Sequence, residues 1–418
     1  MTRTERQQES VKKWLACKGK GSIEAATGFG KTNVGLITIK ALLKKYPQFR
    51  ILVVVPTTTL KTQWQNKIDE WGFTFNAEIQ VINTIIKHTW QCDLLILDEE
   101  HRYNSEDFSQ IFQKVKYKLI LGLTATFERL DGKHIIMQKY CPIIDKISIL
   151  ECQVNGWVSE YKEYIVLIDV DDITEFKALN KEFIRLFEFF NFDFNSAKKC
   201  CGKDGWKFAI KFADELYKGN DENRRKEVRK ATMINAIQLM RNTQKRKLFI
   251  NNHPKKIQIT RKIIEARSDK KIITFSNNVN MAESIGYGNV YTGRVSKKRS
   301  DTMIEDFNAA STGVLNTCAK ANEGLDVKGL SVAIILGTDS SETKARQRRG
   351  RAVRKEENKV AEIFYIVIRE TTEEKWVKNN HKTDKNYIVI DEEGLDKVLR
   401  GESPDPPKQQ IRELMFRF

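Results

Sequence analysis

The sequence predicts an α/β protein built as two parallel-sheet lobes with a charged helical region between them. Three observations lead there. The N-terminal third alternates helical stretches with short unbroken apolar runs, Ile51–Val55, Leu94–Leu97 and Leu119–Leu123. Unbroken rather than alternating apolarity marks strands buried on both faces, as in a parallel sheet covered by helices. A second such series begins near Lys256, with candidate strands at Lys271–Phe275, Val314–Thr317, Val332–Leu336 and Ile363–Ile368. Between the two series, roughly residues 172–250 are helical in pattern, strongly charged and rich in phenylalanine from Phe176 to Phe194.

Each run of the first series ends in a polar cluster: Pro56-Thr57-Thr58-Thr59, Asp98-Glu99-Glu100-His101 and Thr124-Ala125-Thr126. Ligands of open α/β sheets bind beyond the carboxyl ends of the strands, so these clusters should line one crevice. Upstream, Ala25-Ala26-Thr27-Gly28-Phe29-Gly30-Lys31-Thr32 ends as a phosphate-binding loop does, although Ala25 stands where the strict pattern has its first glycine. Such a loop offers backbone N–H groups and a lysine ammonium to phosphates, and a hydroxyl to Mg²⁺. The strand Leu94–Leu97 then delivers two carboxylates, Asp98 to hold the metal and Glu99 to activate a water at the γ-phosphate. In this order the two motifs predict ATP hydrolysis with Mg²⁺. Thr27, Gly28, Gly30, Lys31 and Thr32 would cradle the nucleotide, and Thr32 and Asp98 would contact the metal.

Composition bounds the setting. A chain of 418 residues suits two or three domains rather than one core. Its longest apolar runs fall far short of the roughly 20 residues of a membrane span, and the N-terminal residues have no apolar segment like a secretory signal. Seven cysteines, at 17, 92, 141, 152, 200, 201 and 318, form no C-x-x-C pair, which speaks against a zinc site or a disulfide framework. These features predict a reduced intracellular compartment, the cytoplasm. The formal charge of +17 points to nucleic acid as the partner. Phosphate attraction alone does not separate DNA from RNA.

The remaining motifs narrow the reading. The chain resembles superfamily 2 helicases over nearly its whole length, in the branch that contains XPB and the phage recombination helicases of UvsW type. Arg6-Gln7-Gln8-Glu9 is similar to the glutamine motif that reads adenine, with Gln7 as the reader. Pro56–Leu60 and Val81–Thr84 resemble motifs Ia and Ib, and Asp98–His101 is a DExH box. Leu123–Arg129 is similar to motif III, Thr274–Asn277 to motif IV and Thr317–Asp326 to motif V. Gln347-Arg348-Arg349-Gly350-Arg351-Ala352-Val353-Arg354 matches the Q-x-x-G-R-x-x-R form of motif VI.

The resemblance implies two RecA-like lobes that hydrolyse ATP when they close on it. Arg351 and Arg354 would cross from lobe two as arginine fingers, with Gln347 sensing the γ-phosphate and Gly324 and Asp326 near the nucleotide. His101 would relay nucleotide state towards Thr124 and Thr126. Thr57, Thr84, Ser276 and Thr317 would touch the nucleic-acid backbone.

The expected organisation is lobe one over residues 1–150, a linker strand and helical insertion over 151–252, lobe two over 253–385 and a tail over 386–418. From the short stretch before the phosphate loop, no substantial N-terminal DNA-binding domain is expected. Pro404, Pro406 and Pro407 mark a linker in the tail. Within the insertion, Phe176, Leu179, Phe183, Leu186, Phe187 and Phe190 recur at helical spacing and read as packing. Phe189, Phe192 and Phe194 lie outside that stripe and offer an alternative, a wedge on which bases stack. The basic runs Arg224–Lys230 and Lys245–Lys247 read equally as a solvated face or a phosphate track.

The function expected is an ATP-dependent DNA helicase or translocase acting as a monomer on forked and junction DNA in recombination or replication repair. Two alternatives stand beside it: an RNA helicase or remodeller, and an ATP-gated motor subunit of a nuclease or restriction assembly.

Overall fold

The computed structural model describes residues 1–72, 77–104, 109–125, 138–318, 327–338, 360–381 and 387–404. In chain order the strands of the first half are β1 (Lys20–Ala25), β2 (Ile51–Val55), β3 (Ala77–Val81), β4 (Trp90–Gln91), β5 (Leu94–Asp98), β6 (Val115–Lys116), β7 (Leu119–Thr124) and β8 (Ile143–Ile147). Those of the second half are β9 (Glu160–Ile168), β10 (Lys271–Ser276), β11 (Asn289–Tyr291), β12 (Gly313–Cys318), β13 (Val332–Ile335), β14 (Val360–Ile368) and β15 (Ile388–Ile390). They form two parallel sheets, in the orders β3-β2-β5-β7-β1-β8 and β11-β12-β10-β13-β14-β9-β15, beside a small β4-β6 pair.

The unbroken apolar runs have a direct cause. Residues on successive positions of a strand face opposite sides of the sheet. In β2, Ile51, Val53 and Val55 enter the core beneath the helices Lys31–Lys45 and Thr58–Glu70, while Leu52 and Val54 enter a second core with Ile82, Ile85 and Tyr103. The second sheet divides in the same way, with Ile363, Tyr365 and Val367 on one face of β14 and Phe364, Ile366 and Ile368 on the other. Both lobes are RecA-like parallel sheets covered by helices, as the sequence predicts.

Two boundaries differ from expectation. β9, placed by sequence in the linker, is an inner strand of the second sheet, paired with β14 from Val360↔Glu160 to Ile368↔Ile168 and with β15 on its other side. Its apolar run carries no sign of the partner it finds some 200 residues on, so order along the chain misplaces it. The tail likewise contributes β15 and the helix Glu392–Leu399, whose Leu395 and Val398 join the lobe-two core. A strand as short as β15 is invisible to periodicity.

The insertion is a helical unit of its own. The helices Thr174–Phe189, Phe194–Cys200, Gly205–Leu216 and the 31-residue Glu222–Asn252 enclose a core of Leu186, Phe190, Ala197, Cys200, Ala209, Ala236 and Leu239. Phe189 and Phe194, partly buried, pack against that core. Phe192 alone of the three projects, 62% exposed from a left-handed turn with φ 58°. No helix among the described residues is long and apolar enough to cross a membrane.

Candidate nucleotide site

β1, β5 and β7 bring their carboxyl ends together by register alone. Glu24 lies across from Thr124, and Asp98 across from Leu123, so the phosphate loop, the acidic strand end and the end of β7 share one edge. The loop after β1 turns through Gly28 at φ 95° and Gly30 at φ 92°, a left-handed geometry that suits residues without a Cβ. A Cβ on Gly30 would also strike the Gln7 amide. Gly30 starts the helix Lys31–Lys45 without a side-chain cap, which leaves its positive end for an anion.

Gln7 is buried beneath this loop and its Nε2 donates to the Phe29 carbonyl at 2.7 Å, whereas Gln8 is exposed. Arg6 is taken by Asp145 at 2.6 Å and Glu151 at 2.8 Å, so it ties the first helix to β8 rather than facing the site. The Thr27 hydroxyl is buried without a hydrogen-bond partner among the described residues. An orphaned donor inside a loop of left-handed glycines fits a phosphate ligand.

Asp98 and Glu99 close the other side. Asp98 is 4% exposed; its Oδ2 accepts from Trp64 Nε1 at 2.8 Å and its Oδ1 from the Glu99 amide at 3.0 Å. Burial, then the neighbouring Glu99 charge, pushes the Asp98 carboxyl up to about 6, against the pull of the Trp64 hydrogen bond and Lys31. A buried carboxylate held in this way is short of positive charge, which fits a divalent cation. Glu99 itself has φ 50°, a strained backbone for a residue with a side chain. Its Oε1 stands 3.8 Å from Lys31 Nζ and its Oε2 3.4 Å from His101 Nδ1. The same His101 nitrogen lies 3.1 Å from Thr124 Oγ1. Lys31, Glu99, His101 and Thr124 thus form a continuous series of contacts, each within hydrogen-bond or ion-pair distance. Thr126, the last residue of the relay expected from sequence, lies outside the described residues.

Several supports were not legible as motifs. Trp64 sits on the helix after motif Ia, and Gly35 in the phosphate-loop helix is small because a Cβ there would collide with the Trp64 ring. The Tyr103 hydroxyl lies 3.0 and 2.9 Å from the Val54 and Asp98 carbonyls, where its one proton bridges the DExH turn and β2. Glu100 is fully buried against Ser22 and Gly122, and burial pushes its carboxyl up to about 8. A paired glycine in a helix or strand and a large residue opposite it is the only sequence trace of such contacts.

The nucleic-acid residues fare unevenly. Thr57 caps the helix Thr58–Glu70 by accepting from Leu60 N at 3.3 Å, with Thr58 and Thr59 exposed beside it. Thr84 lies partly buried in the short helix Ile82–Ile85. Ser276 and Thr317 require correction as direct contacts, because both are buried and their hydroxyls are spent inside the sheet. Ser276 Oγ lies 3.0 Å from both the Thr317 and the Asn278 carbonyls, which share its one proton, and Thr317 Oγ1 donates to Thr274 O at 2.6 Å. Gly324, Asp326, Gln347, Arg351 and Arg354 lie outside the described residues.

Residues 255–356 match the family described as helicase conserved C-terminal domain, and residues 1–89 and 74–129 match the family of the type III restriction enzyme res subunit. The chain is a superfamily 2 helicase. It is an ATP-dependent enzyme, a hydrolase. This helicase is 28% identical over 393 residues to the DNA 3'-5' translocase XPB2 of Sulfurisphaera tokodaii, a match covering 88% of the chain and 82% of that relative. It is 24% identical over 408 residues to L396 of Acanthamoeba polyphaga mimivirus, named as a candidate ATP-dependent RNA helicase, covering 92% of this chain and 66% of the other. A shorter match, 32% over 155 residues, joins it to QP509L of African swine fever virus, of similar name, across 30% of this chain and 29% of the viral one. The helicase thus spans less than two thirds of the length of either viral relative. Among solved structures, S. cerevisiae Dbp5 bound to RNA and ADP BeF3 superposes with a TM-score of 0.60 at 11% identity, covering 94% of this chain and 91% of that one, a likeness of fold.

Proposed function

We propose that this helicase is an ATP- and Mg²⁺-dependent DNA translocase that unwinds or branch-migrates forked and junction DNA in recombination or replication repair. We take it to act in the cytoplasm as a monomer. The observation that carries the reading is the Lys31–Glu99–His101–Thr124 path at the carboxyl edge of the first sheet. It joins the group that holds phosphate to the group that activates water, and continues into the strand end of motif III.

In this reading Lys31 exchanges Glu99 for the phosphates when nucleotide arrives, and Glu99 is released to orient and deprotonate the attacking water. Thr32 and Asp98 would hold Mg²⁺, which when bound supplies charge neutralisation at the phosphates. Trp64 fixes the Asp98 carboxylate, and Gln7, anchored to the loop through its Nε2, offers Oε1 to the adenine amino group. His101 keeps contact with Thr124, so that a change at Glu99 is felt at the end of β7. Arg351, Arg354 and Gln347 complete the site from lobe two, with Gly324 and Asp326 beside the nucleotide.

DNA is preferred because the relative named as a DNA translocase is matched over most of both chains. The RNA reading draws support from the viral relatives' names, and the restriction-motor reading from the family matched by the first lobe. ATPase assays with single-stranded DNA, duplex, forks and RNA as stimulators test all three. The proposal expects forks and junctions to stimulate most and to be unwound. Stimulation by RNA alone would replace it with the second reading.

A further inference from the structure

The long insertion helix Glu222–Asn252 is bonded to the motor at its base. Asn251 Oδ1 accepts from Asn277 Nδ2 at 3.1 Å, and Asn252 Oδ1 from Asn278 Nδ2 at 2.7 Å. Asn277 and Asn278 directly follow β10, and Asn278 Oδ1 in turn caps the helix Val279–Ser284 by accepting from Met281 N at 2.8 Å. The chain then bends at His253, with Pro254 opening the next helix, Pro254–Ala266.

One turn further, Lys256 is fully buried. Its Nζ donates to Glu373 Oε1 at 2.6 Å, Glu373 Oε2 at 2.8 Å and the Leu336 carbonyl at 2.7 Å. Glu373 Oε2 also accepts from Ile368 N at 3.2 Å. Gly337 closes the gap between these contacts, since a Cβ there would strike Asn277. Residues 251–256 therefore bond to the carboxyl ends of β10 and β13 directly and reach that of β14 through Glu373. Those three strands share the β10–β13–β14 part of the second sheet. From the end of β13 the sequence runs on to Gln347–Arg354.

We infer that Asn251, Asn252 and Lys256 form a joint through which the insertion sets the carboxyl edge of the second sheet, making them positioning residues for nucleic-acid-stimulated ATP turnover. The inference rests on the motor reading above. Two kinds of bond give the joint its character. A fully buried ion pair that is broken on one side leaves an uncompensated charge, so Lys256–Glu373 serves as a fixed pivot. Amide–amide hydrogen bonds at a partly exposed helix end are individually weak and exchange readily with water, so the asparagine pairs serve as a latch. A pivot beside a latch lets the long helix tilt without unfolding either partner. If the contacts served only to stabilise the fold, their loss would lower the melting temperature and leave stimulated turnover unchanged.

The latch can be tested in the full chain because both insertion-side asparagines act through an acceptor oxygen. Asn251→Ala/Asn252→Ala removes both acceptors; Asn251→Asp/Asn252→Asp retains them. Basal and fork-stimulated ATPase are measured as kcat and KM for each, beside a thermal melt. The alanine variant should keep basal kcat and KM for ATP, lose about tenfold in stimulated kcat, and melt within a few degrees of the parent. The aspartate variant should recover most of the stimulation. Wild-type stimulation in the alanine variant, or equal impairment in the aspartate variant, would overturn the inference. Absence of stimulation in the parent protein by any nucleic acid would instead sink the motor reading, and the joint with it.

Discussion

In the first lobe Lys31 Nζ stands 3.8 Å from Glu99 Oε1, with 11% and 18% of the two side chains exposed; in the second, Lys256 Nζ lies 2.6 Å from Glu373 Oε1 and neither is exposed. The residue types are identical, while distance and burial differ. Burial pulls the Lys256 ammonium down and pushes the Glu373 carboxyl up, and each partner opposes that pull by bonding to the other. Such a pair is held by the penalty of separating it. Lys31 and Glu99 are largely buried too, but they stand 3.8 Å apart and keep some exposure, so they hold each other less tightly. They can change partners at little cost, which is what a site must do when a triphosphate enters. A lysine–carboxylate pair thus reads as reactive or as structural from its distance and exposure, not from its identity.

The comparison breaks most visibly in catalysis. Glu99→Gln should lower kcat by about 10²–10⁴-fold, the range for a lost general base, while nucleotide still binds. Lys31→Ala should weaken both binding and turnover. Steady-state ATPase together with a nucleotide-binding titration separates the two, and near-parental kcat in Glu99→Gln would remove it as the base.

Stability should invert the ranking. Lys256→Met strands Glu373 in the core and should cost about 3–5 kcal/mol, whereas Lys256→Met/Glu373→Leu should recover most of that loss. Lys31→Met should cost clearly less than Lys256→Met, because its pair with Glu99 is wider, at 3.8 Å, and less completely buried. Urea denaturation of the full chain measures all three. A double variant as unstable as the single one would mean that the Leu336 and Ile368 contacts, not the charges, dominate at the pivot.

A smaller effect sharpens the first-lobe half. Trp64→Phe keeps an aromatic ring against Gly35 and removes the 2.8 Å hydrogen bond to Asp98. Loss of a side chain that orients a metal ligand typically weakens metal affinity by about 10–100-fold. The Mg²⁺ concentration for half-maximal ATPase should rise accordingly, with kcat at saturating Mg²⁺ largely retained. An unchanged Mg²⁺ requirement would make Trp64 a packing residue only.

How much of this was legible follows from the range of the forces. The phosphate loop and the DExH box are contiguous, and their local chemistry survives any tertiary context. Strands β2, β5, β7, β10, β12, β13 and β14 announced themselves because burial on two faces leaves an unbroken apolar run. Contacts between residues far apart in sequence left little trace. Trp64 meets Asp98 across 34 positions and Lys256 meets Glu373 across 117, and neither partner is unusual where it stands. Ser276 and Thr317 show the reverse failure. Motif position suggested contact with nucleic acid, while the strand pleat turned both hydroxyls inward. Arg246 is a third case: within an apparently solvated basic run, it lies 4.0 Å from the Phe183 ring centre and is 8% exposed.

The smallest expected effect concerns the basic surface of the insertion, where the same question of reactive or structural charge recurs. Arg225 donates to the Gly219 carbonyl at 3.0 Å and Arg229 pairs with Asp214 at 2.9 Å, so both hold the insertion together. Arg224 stacks over Tyr217 at 5.7 Å. Lys226 and Lys230 are exposed on the same helix and take part in no ion pair among the described residues. Reversal of all the basic residues would therefore mix unfolding with lost phosphate contact. Lys226→Glu/Lys230→Glu isolates the contact. If these lysines meet the phosphates of a branch point, each should contribute about one unit to the slope of log affinity against log salt. Fork binding should weaken at low salt and its slope flatten by up to about 2 units, with single-strand binding less affected and ATPase on saturating single strands unchanged. Affinities for fork and single strand across a salt series decide it. Equal loss on both substrates would make the patch a general phosphate track, and no loss on either would return it to a solvated helix face, leaving fork preference to the lobes or to the exposed Phe192.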